Sequence, residues 1–157
     1  MDFLKAFGIE VGKDKYYEEI VYSTALLYNL IEAKVSTHLA AFNLTTAKFN
    51  VLIILQHQAG HDGMSQVDIS KHLIVTASNM TRLLDKLEKE GLAQRSALKN
   101  DRRVKTIKIT SKGSQLLDRA WPGYVDVLKI LAQSLSLNEQ KILAGLLTKS
   151  VSELTEK

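Results

Sequence analysis

The chain of 157 residues contains no cysteine and only one proline. Without cysteine there can be no disulfide bond, no thiolate zinc site and no thiol redox switch. The sequence also has no run of about eighteen apolar residues, and its first residues lack the charged-then-apolar pattern of a secretory signal. From these absences we expect a cytoplasmic protein with no membrane-spanning segment.

The residue patterns of the common enzyme classes are missing as well. The sequence has no Ser-His-Asp order, no paired-carboxylate site and no glycine-rich phosphate loop. His57 and His61 are four residues apart, a spacing that would put two zinc ligands on one helix face. Gly60 interrupts that helix and no third ligand is evident, so a structural or surface role is favoured over a metal site. We therefore expect no enzymatic activity, no cofactor and no metal.

The excess positive charge of the chain is confined to one segment. Residues 65–112 hold eleven lysines and arginines against five acidic residues, a net charge of +6. The remaining residues hold ten basic and twelve acidic side chains, which leaves +4 for the whole protein. A surface that faces nucleic-acid phosphates requires such a concentration of positive charge.

The same segment carries the start and stop signals of two short helices. Ser65 and Asp68 form a capping pair for a helix from about Ser65 to His72. Thr76 can cap the next helix, and Gly91 ends that helix as a left-handed residue does. Between them, apolar residues recur at spacings of three and four and predict one buried stripe (Met80, Leu83, Leu84 and Leu87).

A basic hairpin is predicted after these helices. Leu92–Leu98 forms its first strand, Lys99–Arg103 its tip and Val104–Ile109 its return strand, where apolar and polar residues alternate. Thr110 then begins another helix. The order of helix, turn, helix and hairpin is that of a winged helix-turn-helix, which inserts one helix into the DNA major groove and lays the hairpin on the flanking backbone.

Long helices are predicted on both sides of this lobe. Tyr16–Ala41 contains neither glycine nor proline and has apolar residues at helical spacing. Thr45 can cap a second helix that continues to Gly60. After the hairpin, a helix from Thr110 to about Leu135 contains Pro122.

The only proline and the last apolar stripe carry two further predictions. Pro122 lacks an N–H and should kink or break its helix between Asp118 and Gly123. Ser136 and Glu139 form a capping pair for a final helix, whose apolar stripe from Leu137 to Leu154 is too wide for the lobe to cover. Pairing with a second copy of the chain would cover it.

These observations predict a mainly α protein with one domain, residues 1–157. Its winged helix-turn-helix lobe, with a two-stranded β wing, occupies about residues 45–112. The long terminal helices, at about 1–41 and 113–157, form the dimerisation region.

Three motifs resemble the multiple-antibiotic-resistance regulator (MarR) family of bacterial and archaeal transcription factors. They are the segment TRLLDKLEKEGLAQR, the wing tip Asp101-x-Arg103, and the junction IKITSKG, in which Thr110 and Gly113 stand at the family's positions. The similarity extends over nearly the whole chain. The resemblance implies a homodimeric regulator that binds double-stranded DNA, a repressor acting on a pseudo-palindromic operator. The alternative is a winged-helix adaptor that binds proteins and has no specific affinity for DNA.

The DNA-binding residues predicted on this basis lie in the two short helices and the wing. Asn79 and Arg82 would contact base edges or adjacent phosphates, although Asn79 could instead turn toward the lobe beside Met80. Arg103 would enter a minor groove, and Asp101 would orient a neighbouring arginine or cap the turn. The alternatives are an ion pair of Arg82 with Asp85 and a merely solvated hairpin. The full set is Ser65, Thr76, Ala77, Ser78, Asn79, Thr81, Arg82, Lys86, Arg95, Lys99, Asp101, Arg102, Arg103 and Lys105.

The resemblance also implies a small-molecule effector, bound where the long helices meet the lobe. The side chains that could line such a pocket are Tyr28, His38, Phe42, Phe49 and Trp121. Each of these aromatic residues, taken alone, is more often part of a core than of a ligand site. The sequence identifies no effector.

Overall fold

The computed structural model describes residues 3–60, 62–73, 80–98 and 101–155, and most of them are helical. A short 3-10 helix, Phe3–Phe7, is followed by α1 and α2, and the chain ends in α5 and α6. The elements are α1 (Tyr16–Ala40), α2 (Thr46–His57), α3 (Gln66–His72), α4 (Met80–Lys89), β1 (Ala93–Leu98), β2 (Asp101–Ile109), α5 (Ser111–Ala132) and α6 (Leu137–Thr155). This order confirms the predicted mainly α fold with a two-stranded wing.

The predicted capping residues begin four of the helices. The hydroxyls of Thr45, Ser65 and Thr110 each accept the backbone N–H three residues further on, at 3.3, 3.1 and 3.1 Å. At α6, the Glu139 carboxylate accepts the backbone N–H of Ser136 at 2.8 Å and its hydroxyl at 2.6 Å. These bonds satisfy N–H groups that have no partner inside the helix, which is why the helices begin there.

The buried core lies in the winged lobe. Phe49 and Leu52 of α2 pack with Ile69 of α3, Leu84 of α4 and Leu117 of α5, and all five side chains are fully buried. The C-terminal half of α1 closes the core with Val35 and Leu39. The five elements therefore bury one apolar stripe each against a common centre.

The wing is an antiparallel pair in which Ala93 faces Ile109 and Ala97 faces Lys105. The register shifts after Ala97, and β2 already begins at Asp101. The predicted tip, Lys99–Arg103, was therefore too long, because Asp101–Arg103 belong to the return strand. Met64 adds a short antiparallel bridge to Ile107 and fixes the inner edge of the wing to the loop before α3.

Pro122 does not break α5, which runs without interruption from Ser111 to Ala132. The predicted break was wrong, because the surrounding helices hold the segment. Next to the proline, Gly123 leaves room for the ring of His38 from α1, where a Cβ would overlap it. The Nε2 of His38 donates a hydrogen bond to the Ala120 carbonyl at 2.8 Å. Tertiary packing thus stabilises a helix that local sequence disfavours.

The terminal helices expose most of their apolar residues. In α6 no residue that the structure describes is buried, and Leu146 is 60 % and Leu154 79 % exposed. The first half of α1 likewise exposes Ile20 and Val21. Within the described ranges, no helix combines the length and hydropathy needed to cross a membrane.

Candidate nucleic-acid interface

Helix α4 is the described part of the predicted recognition helix, and its outer face is the candidate DNA-contacting surface. Met80, Leu84 and Leu87 are buried, whereas Arg82 and Lys86 lie on the exposed face. The strong separation of the two faces fixes which side chains point outward. The predicted contacts at Thr76, Ala77, Ser78 and Asn79 fall on residues outside the described ranges.

Helices α3 and α4 are joined by a side-chain hydrogen bond. The amide of Gln66 donates to the hydroxyl of Thr81, a predicted DNA contact, at 2.9 Å. The Ser65 hydroxyl, another predicted contact, caps α3 and donates to the Asp68 carboxylate at 2.6 Å. A hydrogen bond from Lys71, and a weaker effect of Ser65, hold the pKa of Asp68 below its ordinary value. DNA contacts by Ser65 and Thr81 stay predictions.

Arg95 of β1 is held by two carboxylates of α4. Its guanidinium lies 2.6 Å from Asp85 and 2.8 Å from Glu88, and its backbone N–H donates to Glu88 at 3.2 Å. The hydrogen bond with Asp85 raises the pKa of Arg95 above its usual value, although partial burial opposes the shift. Arg95 therefore links the wing to α4. Its predicted contact with DNA stays a prediction.

The outer part of the wing carries the remaining predicted contacts. Lys105 lies exposed on β2. Asp101, Arg102 and Arg103 form the start of the same strand, but their side chains lie outside what the structure describes. The predicted contact at Lys99 is outside the described residues altogether.

The end of α4 depends on three residues that the sequence reasoning missed. Lys48 of α2 donates to both carboxylate oxygens of Glu90, at 2.6 and 2.8 Å. Lys112 of α5 donates to the Glu90 carbonyl at 2.7 Å. The signal for Lys48 was present: it stands four residues before Leu52, on the face of α2 that is otherwise apolar and buried.

Two of the five predicted pocket residues, His38 near the end of α1 and Phe42 just after it, form one contact. The rings of His38 and Phe42 are 5.3 Å apart. Phe49 of α2 instead lies 6.3 Å from Trp121 of α5, with Tyr124 beside both rings. Tyr28 lies exposed on α1. The five residues therefore divide into an aromatic cluster of buried Phe49 and partly exposed Trp121, a pair at the α1–α5 crossing, and one surface tyrosine.

A different, polar groove opens between the end of α2 and the start of α5. It is lined by Gln56, Ile109, Thr110, Ser111, Ser114 and Gln115, none of which was a predicted pocket residue. Across the described ranges there is no group of three potential metal ligands. His61 falls outside those ranges, so whether it shares a helix face with His57 stays untested.

The joined α3 and α4, with a two-stranded wing beside them, define a winged helix-turn-helix protein. The profile of the MarR family matches residues 44–105. An HTH-type transcriptional regulator of Bacillus cereus is 36% identical over 112 residues, which are 71% of this chain and 72% of the relative. The chain therefore belongs to the MarR family of transcriptional regulators.

Solved structures share this fold. A MarR-like regulator from Bacillus cereus ATCC 10987 has a TM-score of 0.80 at 21% identity, covers 89% of this chain and shares its fold over 99% of its own length. The MepR–DNA complex of S. aureus has a TM-score of 0.75 at 28% identity, over 85% of this chain and 96% of MepR. That relative was thus solved with DNA bound.

Proposed function

We propose that this chain binds double-stranded DNA in a sequence-specific way and represses transcription as a homodimer on a pseudo-palindromic operator. The observation that carries the proposal is the direct coupling of an exposed basic helix face to the wing through Arg95, Asp85 and Glu88. Two DNA-contacting elements held in this way can dock as one unit. The DNA complex of MepR, a relative in the same fold, supports the proposal.

In this proposal α4 enters the major groove and the wing follows the flanking backbone. Arg82 would pair with a guanine edge and Asn79 with adenine, each through two hydrogen bonds. Arg103 would enter the narrow minor groove of an A·T-rich flank, where the potential is most negative. Lys99, Arg102 and Lys105 would contact phosphates, and Asp101 would orient Arg103 without touching DNA.

The homodimer is proposed from the terminal helices. The apolar side of α6 includes Leu143, Leu146, Leu147 and Val151, all exposed in the single chain. A second copy would bury these residues, and a two-fold axis would set two recognition helices about 34 Å apart, one turn of DNA. We accordingly divide the domain into the DNA-binding lobe, about 45–112, and the dimerisation region, about 1–41 and 113–157.

We further propose release from DNA by a small aromatic molecule bound where α1, α2 and α5 meet. Trp121, Tyr124 and Phe49 pack there with ring centres 4.9–6.3 Å apart. Such a ligand would compete with these rings for stacking contacts. The cytoplasmic location expected from the sequence stays a prediction.

Selection of DNA fragments from the source genome by the purified protein tests the proposal. We expect recovered fragments to share a pseudo-palindrome, bound at least about 1,000-fold more tightly than a scrambled duplex of equal length. The scrambled duplex is the control for non-specific attraction to phosphates. Weak binding with no sequence preference at physiological salt would contradict the proposal and favour the protein–protein adaptor.

A further inference from the structure

Glu90 follows the last residue of α4 and is contacted by lysines of two other helices. Lys48 of α2 binds both oxygens of its carboxylate, and Lys112 of α5 binds its backbone carbonyl. Both ammonium groups stand at the end of α4 where the peptide dipoles leave partial negative charge. We name this cluster of Lys48, Glu90 and Lys112 the α4 anchor.

Lys48 is unusual because it is a charged residue within the core. The whole residue is only 9 % exposed, while it holds a carboxylate whose side chain is 40 % exposed. Taking an ammonium group out of water is costly, and a buried ion pair often adds little net stability compared with apolar residues. Its two directional hydrogen bonds do, however, restrict where the partner helix can lie, which non-directional apolar contacts do less well.

The backbone at this end of α4 is equally constrained. Gly91 adopts a left-handed conformation with φ of 70°. The N–H groups of Leu92 and Gly91 close the helix on Leu87 and Glu88 at 2.8 and 2.9 Å. The Thr110 hydroxyl donates to the Gly91 carbonyl at 2.7 Å. These contacts therefore fix the position of the C-terminal end of α4, and the orientation of the helix is set relative to that end.

The opposite end of α4 is where operator bases would be read. Ten residues span about 15 Å, so a small tilt at the fixed point displaces the first turn by an ångström or more. Recognition geometry tolerates roughly 0.5 Å of displacement before contacts weaken. The tilt of α4 therefore determines how well the helix discriminates between operator and random DNA.

We propose that the α4 anchor positions the recognition helix for operator binding, with Lys48 acting through Glu90 and never touching DNA. This inference rests on the proposed sequence-specific DNA binding. Lys48 and Glu90 are thus positioning residues. Their loss should reduce discrimination between operator and random DNA more than it reduces affinity for DNA in general.

The test compares Lys48→Met with Lys129→Met in the full-length protein, at a temperature where circular dichroism shows both to be folded. Lys129 is the matched control because it pairs with Asp126 on the exposed side of α5, with both side chains more than half exposed. We expect Lys48→Met to lower the ratio of operator to scrambled-duplex affinity by about tenfold, with Lys129→Met unchanged. The slope of log affinity against log salt should be that of the wild type. A slope flattened by about one unit would make Lys48 a phosphate contact and overturn the proposal.

A second variant separates positioning from packing. Lys48→Met combined with Glu90→Met should have an unfolding midpoint close to that of the wild type, because methionine fills the buried volume of Lys48 and no charge is left without its partner. It should still discriminate poorly between the two duplexes. Recovery of full discrimination would show that packing alone suffices and would overturn the proposal. If Lys48→Met unfolds, Glu90→Gln, a change at a half-exposed side chain, is measured in the same way.

The same measurements keep the two hypotheses apart. A wild-type protein that prefers its operator, together with a Lys48→Met variant that prefers it equally, overturns the α4 anchor and leaves the proposed function intact. A wild type without any preference overturns the proposed function, and with it the role of the anchor.

Discussion

The winged lobe buries its apolar residues, whereas α6 exposes similar residues to solvent. Leu52, Ile69 and Leu84 of the lobe are at most 1 % exposed, whereas Leu137 of α6 is 83 % exposed. Both segments have helical apolar stripes, so the difference lies in what each stripe packs against. The apolar residues of the lobe pack with those of α1 and α5 around one core, whereas those of α6 stay exposed in the single chain. The single chain thus buries the apolar residues of one region and leaves those of the other exposed.

The largest effect on operator affinity is expected from a charged residue placed in the exposed apolar stripe of α6. Leu146→Glu should convert the proposed dimer to monomers, and operator affinity should fall at least about 100-fold because two half-sites are no longer bound together. Light scattering and operator titration measure the two changes. Thr148→Glu, on the polar side of the same helix, is the matched control. A dimeric Leu146→Glu with intact affinity would place the interface elsewhere.

A glycine of α5 packed against the lobe and a glycine of α6 give the second comparison. A Cβ at Gly113 would overlap the Leu92 carbonyl, whereas nothing lies within 4 Å of a Cβ at Gly145 in α6. Gly113→Ala should lower the free energy of unfolding by about 2–3 kcal/mol through steric overlap. Gly145→Ala should raise it by up to about 1 kcal/mol through helix propensity. Denaturant titrations at one protein concentration compare them; equal losses would mean that α6 is packed as tightly as the lobe.

The charge distribution provides a third comparison. Arg103→Ala in the wing should weaken operator binding by about 1–3 kcal/mol and flatten the salt dependence by about one unit, since a cation near the DNA is lost. Arg119→Ala, exposed on α5 outside the basic segment, should change neither quantity. Titrations at three or more salt concentrations provide the measurement. Unchanged binding by Arg103→Ala would remove the wing from the DNA interface.

The smallest effect is expected from pH at the start of α6. Hydrogen bonds from Ser136 hold the pKa of Glu139 below its ordinary value of 4.5. The ionised carboxylate therefore contributes stability above pH 4.5, and this contribution is lost as the pH falls through the lowered pKa. Glu139→Gln should unfold with less dependence on pH below 4.5 than the wild type, as followed by thermal melts. An identical pH dependence in both proteins would contradict a role for this cap.

Sequence reasoning succeeded where the cause lies within a few neighbouring residues. Ser65, Thr110 and Ser136 begin helices as predicted because a cap needs only a polar side chain and an N–H three residues away. The buried stripe of α4 followed from spacing alone. The family motif also predicted the wing. The length of its tip was misjudged, because the register shift after Ala97 depends on pairing across the hairpin.

The sequence by itself determined the helix starts, the apolar faces, the basic segment and membership of the MarR family. Only the tertiary structure decided which charged residues form ion pairs. Lys48 and Glu90 are 42 residues apart, and Arg95 contacts α4 because β1 packs beside that helix. It also kept α5 continuous at Pro122, where His38 reaches Ala120 from 82 residues away. The physical reason is the sequence separation of the interacting residues. Helix caps and apolar stripes depend on residues close together in sequence, whereas these ion pairs and helix crossings form only when distant segments pack around one core.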